Sequence, residues 1–113
     1  VIQLPWPPTV NHYYTVARGR KILSEAGRAY KKYACTCMMV QRVMKHSKAD
    51  APFGLHILAR PPDARRRDLD NLLKPIIDSL VDFGAIPDDY LVDDIHIQRL
   101  NKVKDGQIEV EIL

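Results

Sequence analysis

The sequence predicts an α+β fold: a single compact domain, residues 1–113, in which a mixed β-sheet carries two main helices. Three observations lead there. A chain of 113 residues with 46% hydrophobic content can bury one core and little more. Two segments repeat apolar residues at helical spacing, whereas several shorter ones alternate apolar and polar residues as half-buried strands do. The order is strand, basic hairpin, helix, strand, helix, strand, strand, with no internal repeat, low-complexity stretch or domain boundary between them.

Ile2-Gln3-Leu4 alternates and stops at Pro5, Pro7 and Pro8, which cannot donate to a ladder, so a short first strand leads into a rigid turn with Trp6 as a core anchor. Tyr13-Tyr14-Thr15-Val16 and Lys21-Ile22-Leu23 flank Ala17-Arg18-Gly19-Arg20, a hairpin with Gly19 at its turn. Ser24 is suited to cap a helix, with Glu25 in its first turn. Ala26, Tyr30, Tyr33, Cys37, Val40 and Met44 then follow at spacings of four and three, which predicts one apolar face of a long helix reaching about His46. The opposite face carries Arg28, Lys31, Lys32, Arg42 and Lys45. Ala49 to Pro52 reads as a linker turn, and Leu55, Ile57 and Ala59 alternate in a second strand.

After Pro61-Pro62, Asp68-Leu69-Asp70 is expected as extended chain at the mouth of the second helix, because only there do residues two apart share a face. Leu69, Leu72, Leu73, Ile76, Ile77 and Leu80 then take up helical spacing as a buried face, with Asp70, Lys74 and Asp78 stacked at four-residue intervals on another. Pro75 must lie in the first turn or bend the helix. Gly84 is placed to end it in a left-handed conformation. Ile86-Pro87-Asp88-Asp89 forms an acidic loop, Ile95 and Ile97 alternate in a third strand, and Ile108, Val110 and Ile112 in a fourth. Asp105-Gly106 between them signals a hairpin.

The formal charge of +3 hides an uneven distribution. Arg18 to Lys48 carries nine Lys or Arg against one acid, whereas Asp63 to Asp94 carries nine Asp against four bases. A basic half beside an acidic pocket suits a protein that attracts a polyanion with one surface and holds cations with another, although two solvated faces of opposite sign have the same signature. There is no apolar run of membrane-spanning length and no signal-peptide pattern. Cys35 and Cys37, two apart in a helical pattern, point to different faces and are expected to be free and reduced, in keeping with a cytoplasmic protein.

The window Arg65-Arg66-Arg67-Asp68-Leu69-Asp70-Asn71-Leu72-Leu73-Lys74, with Asp88-Asp89 beyond it, has the composition of a phosphodiester-cutting site. Carboxylates hold a hard divalent cation through oxygen, and Arg or Lys holds the phosphate that the cation activates. Lys74 could neutralise charge on that phosphate in the transition state, or simply pair with Asp70 or Asp78 along the helix.

Leu4-Pro5-Trp6-Pro7-Pro8 with Asn11 and Tyr13-Tyr14, Arg18-Gly19-Arg20, Arg66-Arg67-Asp68-Leu69-Asp70-Asn71 with Lys74, and Asp88-Asp89 together resemble the RusA family of Holliday junction resolvases. The match is colinear over nearly the whole chain, with Pro75 after the lysine and Thr9-Val10 before Asn11 departing from the family pattern. The resemblance implies a homodimer that nicks opposing strands of four-way junction DNA in recombination and repair. It implies a magnesium-dependent reaction, with manganese as a substitute. Carried over by motif, Asp68, Asp70 and Asp89 are the essential acids and metal ligands, with Lys74 as the basic catalytic residue. It also implies a bacterial protein, of host or prophage origin.

Tyr14, Arg18, Arg20, Arg28, Lys31, Lys32, Arg66 and Arg67 are the expected DNA-binding residues. Tyr13 and Tyr14 suit either stacking on unpaired bases or packing of the hairpin. Asp78 is an outer carboxylate of the site or an exposed helix acid, Asp88 a further ligand or a turn cap, and Asp93 and Asp94 solubilise a strand edge. His12, His46, His56 and His96 are dispersed, and Met38, Met39 and Met44 read as core or dimer filler. Two other readings compete: a non-catalytic nucleic-acid-binding protein, and a nuclease of the same chemistry acting on forks, flaps or RNA. The presence of all three acids together with Lys74 speaks against the first.

Overall fold

The computed structural model describes residues 1–46 and 52–113. The linker turn expected from Ala49 onward lies, apart from Pro52, outside the described residues. In chain order the elements are β1 (Ile2–Leu4), α1 (Val10–Tyr13), β2 (Tyr14–Ala17), β3 (Arg20–Leu23), α2 (Glu25–Val40), β4 (Phe53–Arg60), α3 (Leu73–Phe83), β5 (Val92–Arg99) and β6 (Gln107–Ile112). Short 3-10 turns at Leu69–Leu72 and Asp89–Leu91 precede α3 and β5. The expected α+β architecture is present, with α1 as an addition.

The main sheet is mixed and ordered β1-β6-β4-β5. Strand β4 is parallel to β5 and antiparallel to β6, which is antiparallel to β1. Phe53, Leu55, Ile57 and Ala59 of β4 point into the core, as their alternation requires, and meet Ile108 and Val110 of β6 beneath Ile76 and Leu80 of α3. One expectation is overturned. Asp105 and Gly106 do form a turn with positive φ of 67° and 72°, but β5 and β6 are not hairpin partners, because β4 lies between them. The chain leaves β5 at one edge and returns on the far side of β4, which hydrogen-bonds to both β5 and β6 and turns a fully apolar face inward.

The basic hairpin is a separate two-stranded ribbon, β2 with β3. Its turn places Arg18 and Gly19 at φ of 52° and 72°, the two consecutive left-handed residues that a tight hairpin with right-twisted strands demands. Ser24 caps α2 as expected, its hydroxyl accepting the Gly27 N–H at 3.0 Å.

Of the apolar face that spacing suggests for α2, only Tyr30 is fully buried. Gly27, Tyr30, Ala34 and Met38 are buried, whereas Tyr33, Val40 and Met44 are exposed. Small residues win over large ones because the helix approaches its neighbours closely. A Cβ on Gly27 would lie 2.4 Å from the Tyr13 carbonyl oxygen. The helix also ends at Val40 rather than near His46. The Gln41 side chain donates to the Cys37 and Gln3 carbonyls and accepts the Gln3 N–H, and Arg42 turns to a φ of 57°. Arg42 and Lys45 therefore lie beyond the helix.

The second helix behaves as its sequence suggests. Leu72, Ile76 and Leu80 are buried, with Leu69, Leu73 and Ile77 packed beside them. Pro75 sits in the first turn of α3, the part of a helix that tolerates a missing N–H. Gly84 ends the helix at a φ of 95°, its N–H reaching the Leu80 and Val81 carbonyls.

Tyr30 is buried, and its hydroxyl donates to the Pro5 carbonyl at 2.8 Å. Burial, then the nearby Cys37 thiol, pushes its ionisation above the ordinary phenol value. With the folded value raised, its contribution to stability is complete below about pH 10 and is lost only as pH climbs beyond that. Titrated by absorbance near 295 nm at about pH 11, Tyr30→Phe is expected to show the same tyrosinate rise as the unaltered protein. A smaller rise in the variant would mean that Tyr30 ionises in the folded state.

Candidate active site

The acidic residues come from two segments that meet at the N-terminal end of α3. Asp68 is extended, at φ −90° and ψ 132°, but Asp70 already lies inside the 3-10 turn. The expected extended pair is thus corrected: the Asn71 N–H reaches the Asp68 carbonyl, and the Leu73 N–H the Asp70 carbonyl. Winding starts at Leu69, two residues sooner, because Leu69 and Leu72 are already drawn to the core. Asp68 and Asp70 are both exposed at the surface.

Lys74, in the first turn of α3, joins the two segments. Its ammonium lies 3.0 Å from Asp78 Oδ1 and 3.9 Å from Asp89 Oδ2. The hydrogen bond to Asp78, ahead of the electrostatic pull of Asp78, Tyr14 and Asp89, raises its pKa and keeps it a cation. Asp78 in turn accepts the Tyr13 hydroxyl at 2.8 Å through its other oxygen. Tyr13 is completely buried, and burial followed by this hydrogen bond holds its proton well above the ordinary phenol range. The sequence pattern places Tyr13 on the hairpin. It instead ends α1 and faces α3.

Among the described residues no group of three or more His, Cys, Asp or Glu side chains is close enough to hold a metal ion. The donor chemistry nonetheless fits a hard cation. Magnesium keeps several waters and is commonly held by one or two carboxylates plus substrate phosphate, and Asp68, Asp70 and Asp89 are solvent-facing oxygen donors at one end of one helix.

Two clefts of about 450 Å³ each adjoin Asp68 and share Trp6, Arg66, Arg67 and Leu72 as walls. One continues to Arg65, Arg99 and Lys102, the other to Asn11, His12 and Asn71. Arg66 is exposed on their rim. Arg67 is placed differently: it pairs with Asp63 at 2.6 Å, lies 5.7 Å from the Trp6 ring centroid, and its carbonyl accepts from Arg99. Arg67 thus fastens the 61–68 loop onto Trp6. The Arg67 hydrogen bond, with the Arg65 N–H behind it, lowers Asp63 to about 2.

Of the other expected DNA-binding residues, Arg18 and Arg20 are exposed at the hairpin tip and Lys32 on α2. Lys31 lies 3.6 Å from Asp82, and Arg28 donates to the Leu23 carbonyl. Tyr14 packs edge-on against Tyr13 at 4.9 Å, and Lys21 covers its ring at 4.3 Å. Cys35 and Cys37 are free. His56 and His96, far apart in sequence, stack at 5.0 Å on adjacent strands. Arg99 and Lys102 give no signal in the sequence because they lie some thirty residues beyond the acidic window. Only the pairing of β5 with β4, which places Arg99, and the folding of the segment after it bring them to the cleft beside Asp68.

The family model for endodeoxyribonuclease RusA matches residues 5–113. The chain belongs to the RusA family. It is 38% identical to crossover junction endodeoxyribonuclease RusA of Escherichia coli K12 over 115 aligned positions, covering 98% of this chain and 91% of the relative. The proteins of the same name from Enterobacteria phages 82 and HK97 are 39% and 35% identical. The first covers 98% of this chain and 91% of the relative, the second 96% and 89%. RusA-type relatives therefore occur in both bacteria and phages, and the acidic, lysine-bearing end of α3 lies inside the matched span.

Proposed function

We propose that the protein is a magnesium-dependent Holliday junction resolvase of the bacterial cytoplasm that works as a homodimer and nicks two opposing strands of four-way junction DNA. The observation that carries this reading is Lys74. Its ammonium faces Asp89 across a gap of 3.9 Å while standing one turn from Asp70, so a cation and three exposed acids from two segments share one end of the molecule.

Asp68, Asp70 and Asp89 are the residues that would hold the ion, which when bound supplies Lewis acidity toward a phosphate oxygen. Lys74 presents ammonium protons to the same phosphate and offsets charge that builds up on it. Arg66, Arg99 and Lys102 line the approach to Asp68 and suit the flanking phosphates. The hairpin tip, with Arg18 and Arg20, and the α2 surface extend the basic area. A four-way junction is resolved cleanly only when two strands of like polarity are cut at matching positions, which calls for two such sites related by a two-fold axis.

The test uses a supercoiled plasmid bearing an extruded cruciform, with labelled fork and duplex as controls, in the presence and absence of magnesium. Magnesium-dependent linear product, with fork and duplex spared, is expected. Nicked circles alone would remove paired cutting, and equal cleavage of forks would favour a broader nuclease.

Replacing Arg28, Lys31 and Lys32 together with Ala is expected to weaken binding to every DNA structure. It should also flatten the plot of log K against log salt by about 0.9 for each phosphate that is no longer neutralised. Lys31 already has Asp82 as a partner, so Lys32 should carry the larger share. An unchanged slope would show that this face of α2 does not meet DNA.

A further inference from the structure

We infer that Asp78, held in place by the buried hydroxyl of Tyr13, is the positioning residue that aims Lys74 at the scissile phosphate; this rests on the reading of Lys74 as catalytic. The two carboxylate oxygens of Asp78 have separate tasks. Oδ2 accepts the Tyr13 hydroxyl at 2.8 Å and Oδ1 receives the Lys74 ammonium at 3.0 Å.

An ordinary surface pair at this helical spacing has two mobile partners and contributes a few tenths of a kcal/mol. Here one partner is immobilised. Tyr13 is completely buried, and its backbone is gripped by α2. Its carbonyl accepts the Ser24 N–H at 2.9 Å, the Ser24 hydroxyl donates to the neighbouring His12 carbonyl at 2.5 Å, and Gly27 packs directly against Tyr13. A phenylalanine would fill the same space, so the hydroxyl's role is to fix the carboxylate. Lysine carries a point charge on a flexible stem with three donors. With one donor held by Asp78, the ammonium is confined beside Asp89, and the remaining protons stay available to a phosphate oxygen. A cation already in place needs no reorganisation when charge develops.

The experiment compares Lys74→Met, Asp78→Asn, Tyr13→Phe and the double variant Lys74→Met with Asp78→Asn. Junction affinity is measured without divalent metal, and the single-turnover cleavage rate with magnesium. Asp78→Asn is expected to slow cleavage by about 10–100-fold, the usual effect of removing a partner that orients a working group. Tyr13→Phe should slow it by about fivefold, the value of one hydrogen bond. Affinity should stay within about threefold for both, and the double variant should be no slower than Lys74→Met alone. Full-rate cleavage by Lys74→Met would overturn the catalytic reading of the lysine and this inference with it. A slow Lys74→Met beside full-rate Asp78→Asn and Tyr13→Phe would overturn the positioning role alone. So would a double variant clearly slower than Lys74→Met, or loss of affinity and folding in Asp78→Asn together with Tyr13→Phe.

Discussion

Asp70→Asn is expected to bind a four-way junction as the unaltered protein does and to cleave it more slowly by orders of magnitude. Asparagine keeps the size of the side chain but removes the charge that a hard cation requires. Asp70 is exposed and its side chain supports no part of the core; the turn it occupies is held by backbone hydrogen bonds. The substitution should therefore separate chemistry from folding. Melting temperature and junction affinity check the fold, and single-turnover cleavage checks the chemistry. Cleavage at the original rate would remove Asp70 from the site, and a collapse in melting temperature would make it a structural residue. Asp68→Asn and Asp89→Asn are expected to behave alike, since each contributes an exposed oxygen donor at the same end of α3.

The second large effect is expected at Gly27, where two physical terms oppose one another. Alanine is favoured over glycine by up to about 1 kcal/mol within a helix, and Gly27 stands in the first turn of α2. Yet the added Cβ would lie 2.4 Å from the carbonyl oxygen of Tyr13 and 3.1 Å from its ring. The first neighbour is backbone and cannot rotate away, so α2 or α1 must move. Overpacking of this kind commonly costs about 1–3 kcal/mol and sometimes more, and here the hydrogen bond from the Ser24 N–H to that carbonyl is strained as well. Gly27→Ala is expected to be less stable by about 2 kcal/mol, a fall of roughly 5–10 °C in melting temperature for a domain of this size. Because the displaced residue is Tyr13, cleavage should fall further than junction affinity. A melting temperature equal to or above that of the unaltered protein would show that helix propensity prevails and that the close approach is not maintained.

The feature that makes Gly27 sensitive also explains why the face of α2 is hard to read. Spacing picks out Tyr33, Val40 and Met44 alongside Tyr30 because they are bulky and apolar, yet Tyr30 packs in a stripe with Gly27, Ala34 and Met38. Glycine and alanine carry little hydrophobic signal. Their value lies in permitting close approach, which depends on what stands opposite.

Features set by neighbours in the chain were present in the sequence by itself. The inward alternation of Leu55, Ile57 and Ala59, the Ser24 cap, the hairpin turn at Gly19, the stop at Gly84 and the apolar face of α3 arise from a fixed side-chain period or from a residue's own conformational range. The acidic window and its lysine were visible because Asp68, Asp70 and Lys74 stand within one short stretch of chain. Only the tertiary structure decided which strands become neighbours, so that β4 separates β5 from β6 despite a turn between them. Distance in space likewise brought Lys74 to Asp89, laid Arg67 beside Trp6, and set Tyr13 behind Asp78. These pairings join segments up to sixty-five residues apart, and they follow from the burial of a shared core, which no local pattern encodes.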